Sequence, residues 1–443
     1  MKKIRQNLLH ICLTITILIS VLFTALIWIN PATFQRSEMT QHKDTTVETA
    51  SNYALTDVYF PTSILYNDST QQFLLSSKKV DLVRNIKALG KMWTTKNFKE
   101  LKGINATSYY KYLTKSQAVV LKYPATITTA LFNKVGKKDQ VVKNVEFNWM
   151  VISLKQPYKA YLLNDAKMKV YQLTTRAKVG RKLQTLIQDN RVKRTQITYQ
   201  KLAKRYIVSY PSQISIPRYS YLVNKENAGV YIGRLLGNSN SGSVNTREQK
   251  HETTYLDDNG KKIVVNNQTD EVSFVNYNQT EFDIGKNHSL FFYLQQNFKL
   301  LNTLAVSLDD IRYDGYDSKS GMTVYRSYIN SYPIIAQNCY GTFKTQTKAS
   351  GTQQLNFSLD SLQIPVPANG QNETLEPTAT IITNLLNLGL KENQIDNVVV
   401  GYAWSDNAGA EMVVDLTPTY FIKYNGSWYD YRLLSQGIWQ ALE

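Results

Sequence analysis

The sequence predicts an α+β protein: one N-terminal transmembrane helix, followed by a multi-domain extracytoplasmic body with mostly antiparallel sheets packed by helices. Three observations carry this expectation. An uncharged apolar run, Leu8 to Ile29, follows Lys2, Lys3 and Arg5, with no further charge before Arg36. Beyond it, strand-like and helix-like patterns come in clusters instead of strict alternation, which points to segregated layers. A content of 43% hydrophobic and 12% aromatic residues is that of folded material.

As a helix, the apolar run would span about 33 Å at 1.5 Å per residue, enough for a hydrocarbon core. Basic residues before it and none close behind place the amino end in the cytoplasm. The expected order is therefore a cytoplasmic tail over 1–7, the membrane helix over 8–29 and a polar tether over 30–51, with the body outside the cell. A cleaved signal peptide would need a shorter apolar core and a small-x-small site, and Trp28-Ile29-Asn30-Pro31 offers neither. Within the helix Cys12, Thr16, Ser20 and Thr24 recur every fourth residue. Such a stripe lets two helices approach closely in lipid. Ser and Thr also bond back to their own backbone, so the stripe is a candidate partner-contact face with a plain alternative.

The body divides by pattern into an N-terminal domain over 52–205, a middle domain over 206–281 and a C-terminal α+β domain over 282–443. Ser76-Ser77 can cap a helix carrying Leu82, Val83, Ile86, Leu89 and Trp93. Val141 to Phe147 and Lys169 to Leu173 alternate as strands do, and a basic helix is expected over Val179 to Asn190. Gly237 to Thr246 reads as an exposed loop. Thr253 to Leu256, the turn Asp257-Asp258-Asn259-Gly260 and Lys261 to Val265 form a hairpin. Phe282 to Leu308 reads as mostly helical, and Gly321 to Tyr332 and Thr342 to Leu359 as antiparallel strands. Thr378 opens a helix that ends near Gly389. Strands over Asn397 to Trp404, Glu411 to Leu416 and Thr419 to Tyr424 close the chain.

Cys12 and Cys339 are the two cysteines, one on each side of the predicted exit, so core packing must hold the body together. The formal charge is +17, and removing the three cytoplasmic basic residues leaves 17 − 3 = +14 outside. From Lys167 to Arg205 there are 12 Lys or Arg against one acid, Asp189. The candidate basic surface comprises Lys167, Lys169, Arg176, Lys178, Arg181, Lys182, Arg191, Lys193 and Arg194. It could meet lipid headgroups or anionic wall polymers, while export argues against nucleic acid. The plain reading is a solvated face.

Chemistry is hard to place. Ser76-Ser77-Lys78-Lys79, Ser405-Asp406-Asn407 and Lys319-Ser320-Gly321 imitate a penicillin-binding site, but the last two occur in exchanged order. His10, His42, His251 and His288 include no i,i+4 pair, and a single exported cysteine excludes a structural zinc site. Asp309, Asp310, Asp314 and Asp317 mimic a calcium loop, yet Arg312 and Gly321 stand where oxygen ligands belong. No phosphate-binding glycine motif occurs. The residues nominate no catalytic, cofactor or metal site, and the expectation is an interaction protein and not an enzyme. A polyanion-binding envelope module and a wall hydrolase stay open as alternatives.

The chain resembles the YycH family of Gram-positive bacteria. The likeness is carried by Leu55-Thr56-Asp57-Val58-Tyr59-Phe60-Pro61-Thr62, by the hairpin region from Thr254 to Asn276, by Ile395 to Tyr402 and by Val414 to Tyr420. Tyr420 departs from the Trp expected after the proline. The resemblance implies a three-part ectodomain whose later parts are similar to YycI. It also implies a non-catalytic regulator of the WalK (YycG) sensor histidine kinase, which controls wall metabolism, acting with YycI through membrane-helix contacts.

Overall fold

A computed structural model describes residues 53–443 except 78, 81, 83–84, 87–95, 134–143, 175–176, 204, 237–243, 278–287, 309, 338, 349, 367–370, 411 and 443. The expected membrane helix and its stripe lie outside the described residues. Among the described residues no helix is long and apolar enough to cross a membrane.

Nine strands build the first sheet: β1 (Ser63–Asn67), β2 (Gln72–Ser76), β3 (Lys96–Leu101), β4 (Ala118–Thr128), β5 (Glu146–Ser153), β6 (Lys159–Asn164), β7 (Lys169–Thr174), β8 (Lys193–Leu202) and β9 (Arg205–Ser209). Their spatial order is β3-β7-β6-β5-β4-β1-β2-β8-β9, antiparallel throughout. The central strands are apolar on both faces. In β4, Val119 and Leu121 enter one core while Ala118 and Val120 enter the other; in β5, Met150 and Ile152 oppose Trp149 and Val151 in the same way. A sheet covered on both sides has no solvent face to alternate with, so these strands read as continuous apolar runs.

The remaining strands are β10 (Ile214–Pro217), β11 (Tyr219–Lys225), β12 (Asn245–Glu248), β13 (Glu252–Leu256), β14 (Lys261–Asn266), β15 (Glu271–Asn276), β16 (Ile311–Asp317), β17 (Met322–Ile329), β18 (Tyr332–Ile335), β19 (Thr342–Thr347), β20 (Gln353–Ser358), β21 (Asp360–Val366), β22 (Asn372–Leu375), β23 (Ile395–Asp406), β24 (Val413–Tyr424) and β25 (Ser427–Asp430). β10 and β22 pair by themselves. The others form a second sheet along β12-β13-β14-β15-β20-β19-β17-β18-β23-β24-β11-β21, with β16 on β17 and β25 on β24. Its one parallel pair among the described strands is β18 with β23. The β15–β20 pairing carries this sheet from the segment before residue 281 into the segment after it.

The helices are α1 (Leu55–Val58), α2 (Ala106–Leu113), α3 (Ala130–Asn133), α4 (Ala177–Gln188), α5 (Ala228–Leu236), α6 (Leu290–Asn302), α7 (Thr378–Asn387) and α8 (Tyr431–Ser435). The basic helix expected near 179–190 is α4, and the helix expected from Thr378 is α7. On α7, Ile381, Ile382 and Leu385 are buried, whereas Leu386 remains exposed. Gly389 follows at φ +92°, the left-handed conformation a helix stop requires. The expected hairpin is β13–β14. Its turn is held by Asp257, whose carboxylate accepts from the amides of Asn259 (3.0 Å) and Lys261 (2.7 Å).

One expectation needs correction: of the two strands expected over Glu411 to Leu416 and Thr419 to Tyr424, the described part, Val413 to Tyr424, is a single strand, β24, that runs through Pro418. Proline has no amide to donate, so it must fall where the ladder asks for none. On one side β24 pairs continuously with β23; on the other, β11 covers Val413 to Leu416 and β25 covers Phe421 to Tyr424. Pro418 sits in the gap between those two partners.

Two large cores result. Each takes side chains from both sheets: one joins Ile64, Leu121 and Phe147 to Phe274, Phe298 and Phe357, the other joins Leu65, Val120 and Trp149 to Ile334, Ile381 and Val400. Residues 50–443 accordingly form one compact unit.

Candidate functional site

Leu55 to Thr62 ties the start of the body to its later part. Asp57 accepts from the Ala54 amide at 2.8 Å and so caps the short α1. The next turn delivers Tyr59 into the first core, where its ring meets Phe298, Tyr313 and Tyr325. The Tyr59 hydroxyl donates to the Leu294 carbonyl at 2.7 Å and shares a 2.7 Å hydrogen bond with the Tyr325 hydroxyl. Burial drives the Tyr59 hydroxyl far above its ordinary pKa, so it stays protonated and can serve both partners. From the other direction Tyr313 donates to the Thr126 carbonyl at 2.9 Å.

After Pro61 the chain runs along β4: the Thr62 amide donates to the Lys122 carbonyl at 2.9 Å, and Ser63 pairs opposite Lys122. Here a cleft of about 230 Å³ opens between the two sheets. Lys122 is a lone cation in a strand that is otherwise apolar from Ala118 to Tyr123. Its ammonium lies 5.5 Å from the centre of the Trp149 ring. Burial and the nearby Arg205 guanidinium pull its pKa from 10.5 down to about 8, against an opposing pull from Asp165. Asp165 itself is taken up by Tyr109 (2.5 Å), Asn148 (2.8 Å), the Trp149 ring nitrogen (2.8 Å) and the Tyr206 amide (3.1 Å). Arg205, the first residue of β9, also lines the cleft.

The opposite wall comes from the second sheet. Asp314 on β16 accepts from the fully buried Arg326 at 3.1 Å and from the Tyr328 hydroxyl at 3.2 Å. Asp317 accepts from the Lys319 amide at 3.0 Å and from the Ser320 hydroxyl at 2.7 Å, which hold its pKa below the usual carboxylate value. Lys423 lies 5.7 Å from the centre of the Trp428 ring. Among the described residues, neither Lys122, Arg205 nor Lys423 forms an ion pair. Charge counting alone joined Arg205 to the basic run and overlooked Lys122; a charge inside an apolar strand was the available signal.

The predicted basic surface is spread over several elements. Lys167 pairs with Glu146 (2.7 Å), Lys169 with Glu100 (2.9 Å) and Arg191 with Asp189 (2.6 Å). Arg181 and Lys182 are exposed on α4, and Lys193 is exposed at the start of β8. Arg194 donates to the Ile187 carbonyl at 3.0 Å and stacks over Tyr66. Arg176 and the Lys178 side chain lie outside the described residues. The three penicillin-binding-like strings are engaged separately: Ser76 pairs with Lys193 at the end of β2, Ser320 with Asp317, and Asn407 with Asp415 at 2.9 Å. Among the described residues no group of three potential ligands could hold a metal ion.

Comparison with known proteins gives a consistent pattern. The family model for the YycH protein N-terminal domain matches residues 6–192, and that for the YycH protein C-terminal domain matches residues 208–437. No curated protein matches. The crystal structure of YycH from Bacillus subtilis superposes with a TM-score of 0.65 at 13% identity, covering 88% of this chain and 99% of that one. An uncharacterized protein from Eubacterium rectale gives a TM-score of 0.30 at 11% identity, over 51% of this chain and 82% of its own.

Proposed function

The chain belongs to the YycH family, and from that premise we propose that it is a membrane-anchored, non-catalytic regulator of the WalK (YycG) sensor histidine kinase. The observation that carries the reading is the pair of family matches, which together cover nearly the whole chain. Family membership supports a regulatory rather than catalytic role in the WalK system, and a membrane-associated, extracytoplasmic setting. The finer parts of the proposal are a single anchor over 8–29, cooperation with YycI, and a contact face of Cys12, Thr16, Ser20 and Thr24. The segments 52–205, 206–281 and 282–443 are proposed as divisions of the sequence within the one compact body.

The mechanism is a bias on a kinase equilibrium. A regulator shifts the populations of two kinase states only by the difference in its binding free energy to each. Close helix approach along a small-residue stripe is a contact that a rotation or shift of the kinase helices would make or break. Thr16→Leu, Ser20→Leu and Thr24→Leu together place bulk on that face without altering its hydrophobic length. In membranes co-reconstituted with the kinase, the triple variant is expected to lose the wild-type effect on autophosphorylation. An undiminished effect would remove the stripe from the mechanism.

A further inference from the structure

The cleft between the two sheets holds more positive charge than its own residues neutralise. Lys122 and Arg205 both line it, the Arg205 charge acts on Lys122, and neither forms an ion pair among the described residues; the one carboxylate that attracts Lys122, Asp165, is already held by Tyr109, Asn148, Trp149 and the Tyr206 amide. Lys423 adds a third cation to the lining. The two acids of the opposite wall do not compensate. Asp314 is bound to the buried Arg326, and Asp317 closes its own turn through Ser320. A lysine drawn out of water beside an arginine is costly unless an anion joins them.

We propose that this cleft binds a small phosphate monoester, with Lys122 and Arg205 holding the phosphate. Two adjacent cations call for close to two negative charges, which a phosphate monoester carries near neutral pH and a single carboxylate does not. The guanidinium offers a fork that matches two phosphate oxygens, and the ammonium supplies a point charge to the third. Thr62 and Ser63, which also line the cleft, carry hydroxyls of the kind that can donate to the ester or its alcohol portion. A volume of about 230 Å³ accommodates a body the size of glycerol phosphate. The source is either a free small molecule or a phosphate-bearing headgroup at the membrane surface. This inference stands apart from the kinase reading, because binding is measured on the chain alone.

The test is calorimetric titration of the detergent-solubilised full chain with inorganic phosphate and with glycerol phosphate, at physiological salt. Glycerol phosphate is expected to bind with a dissociation constant of about 1 mM or tighter. Lys122→Met and Arg205→Gln, each checked for an intact unfolding transition, are expected to weaken it at least about tenfold, while the exposed Arg181→Gln leaves it unchanged. Vesicles containing phosphatidic acid, whose headgroup is a phosphate monoester, distinguish the sources: if they displace glycerol phosphate the ligand is a headgroup, and if they do not it is a free ester, either of which supports the site. No detectable binding at about 10 mM, or equal weakening by Arg181→Gln, would overturn the proposal.

Discussion

Lys122 has a consequence for stability that is independent of any ligand. Its folded pKa of about 8 lies below the ordinary 10.5, so between those values the unfolded chain binds more protons. Stability contributed by this residue therefore rises with pH across that window, and its cost is fully present below about pH 8. That cost is at most on the order of 3 kcal/mol. The charged groups that set it are Arg205, which lowers the value, and Asp165, which raises it. Lys122→Met removes the half-buried ammonium, so the variant is expected to be more stable than the wild type at pH 7, with a gap that closes toward pH 10. Denaturant midpoints at pH 7, 8.5 and 10 read this directly. A gap of constant size would show that Lys122 is well solvated.

At the level of elements, the parallel contact of β18 with β23 depends on Gly401. A Cβ there would lie 2.7 Å from the Pro333 carbonyl oxygen and 3.1 Å from the Phe421 ring. Gly401→Ala is expected to cost about 1–3 kcal/mol through this overpacking, and equilibrium unfolding at unchanged stability would contradict the contact. The same glycine belongs to the Ile395 to Tyr402 stretch that first suggested the family. Much of the element plan was legible in the sequence because it rests on local chemistry: the Asp257 to Gly260 turn, the Thr378 helix with its Gly389 stop, and the alternation in β7. What was not legible rests on partners far away in the chain. Pro418 reads locally as a break, yet β11 and β25 leave room for it. Lys122 and Arg205 are 83 positions apart and meet only because β9 returns to the cleft. The value of Tyr59 likewise lies in Leu294 and Tyr325, which no local pattern links to it.

Across the whole molecule, the two cores couple the sheets. Because each core draws side chains from both, neither sheet can lose its packing without exposing apolar surface of the other. The body over 50–443 is therefore expected to unfold in one cooperative transition, and Gly401→Ala in the second sheet should lower the midpoint for fluorescence and far-ultraviolet signals alike. Two separated transitions, only one of them shifted, would show that the sheets are energetically independent. The most direct measurement is co-purification of the tagged full chain from membranes, beside a version lacking residues 1–30, with identification of what accompanies each. The account predicts that a sensor histidine kinase is recovered with the full chain and lost or strongly reduced without the anchor segment. Absence of the kinase from both would contradict it.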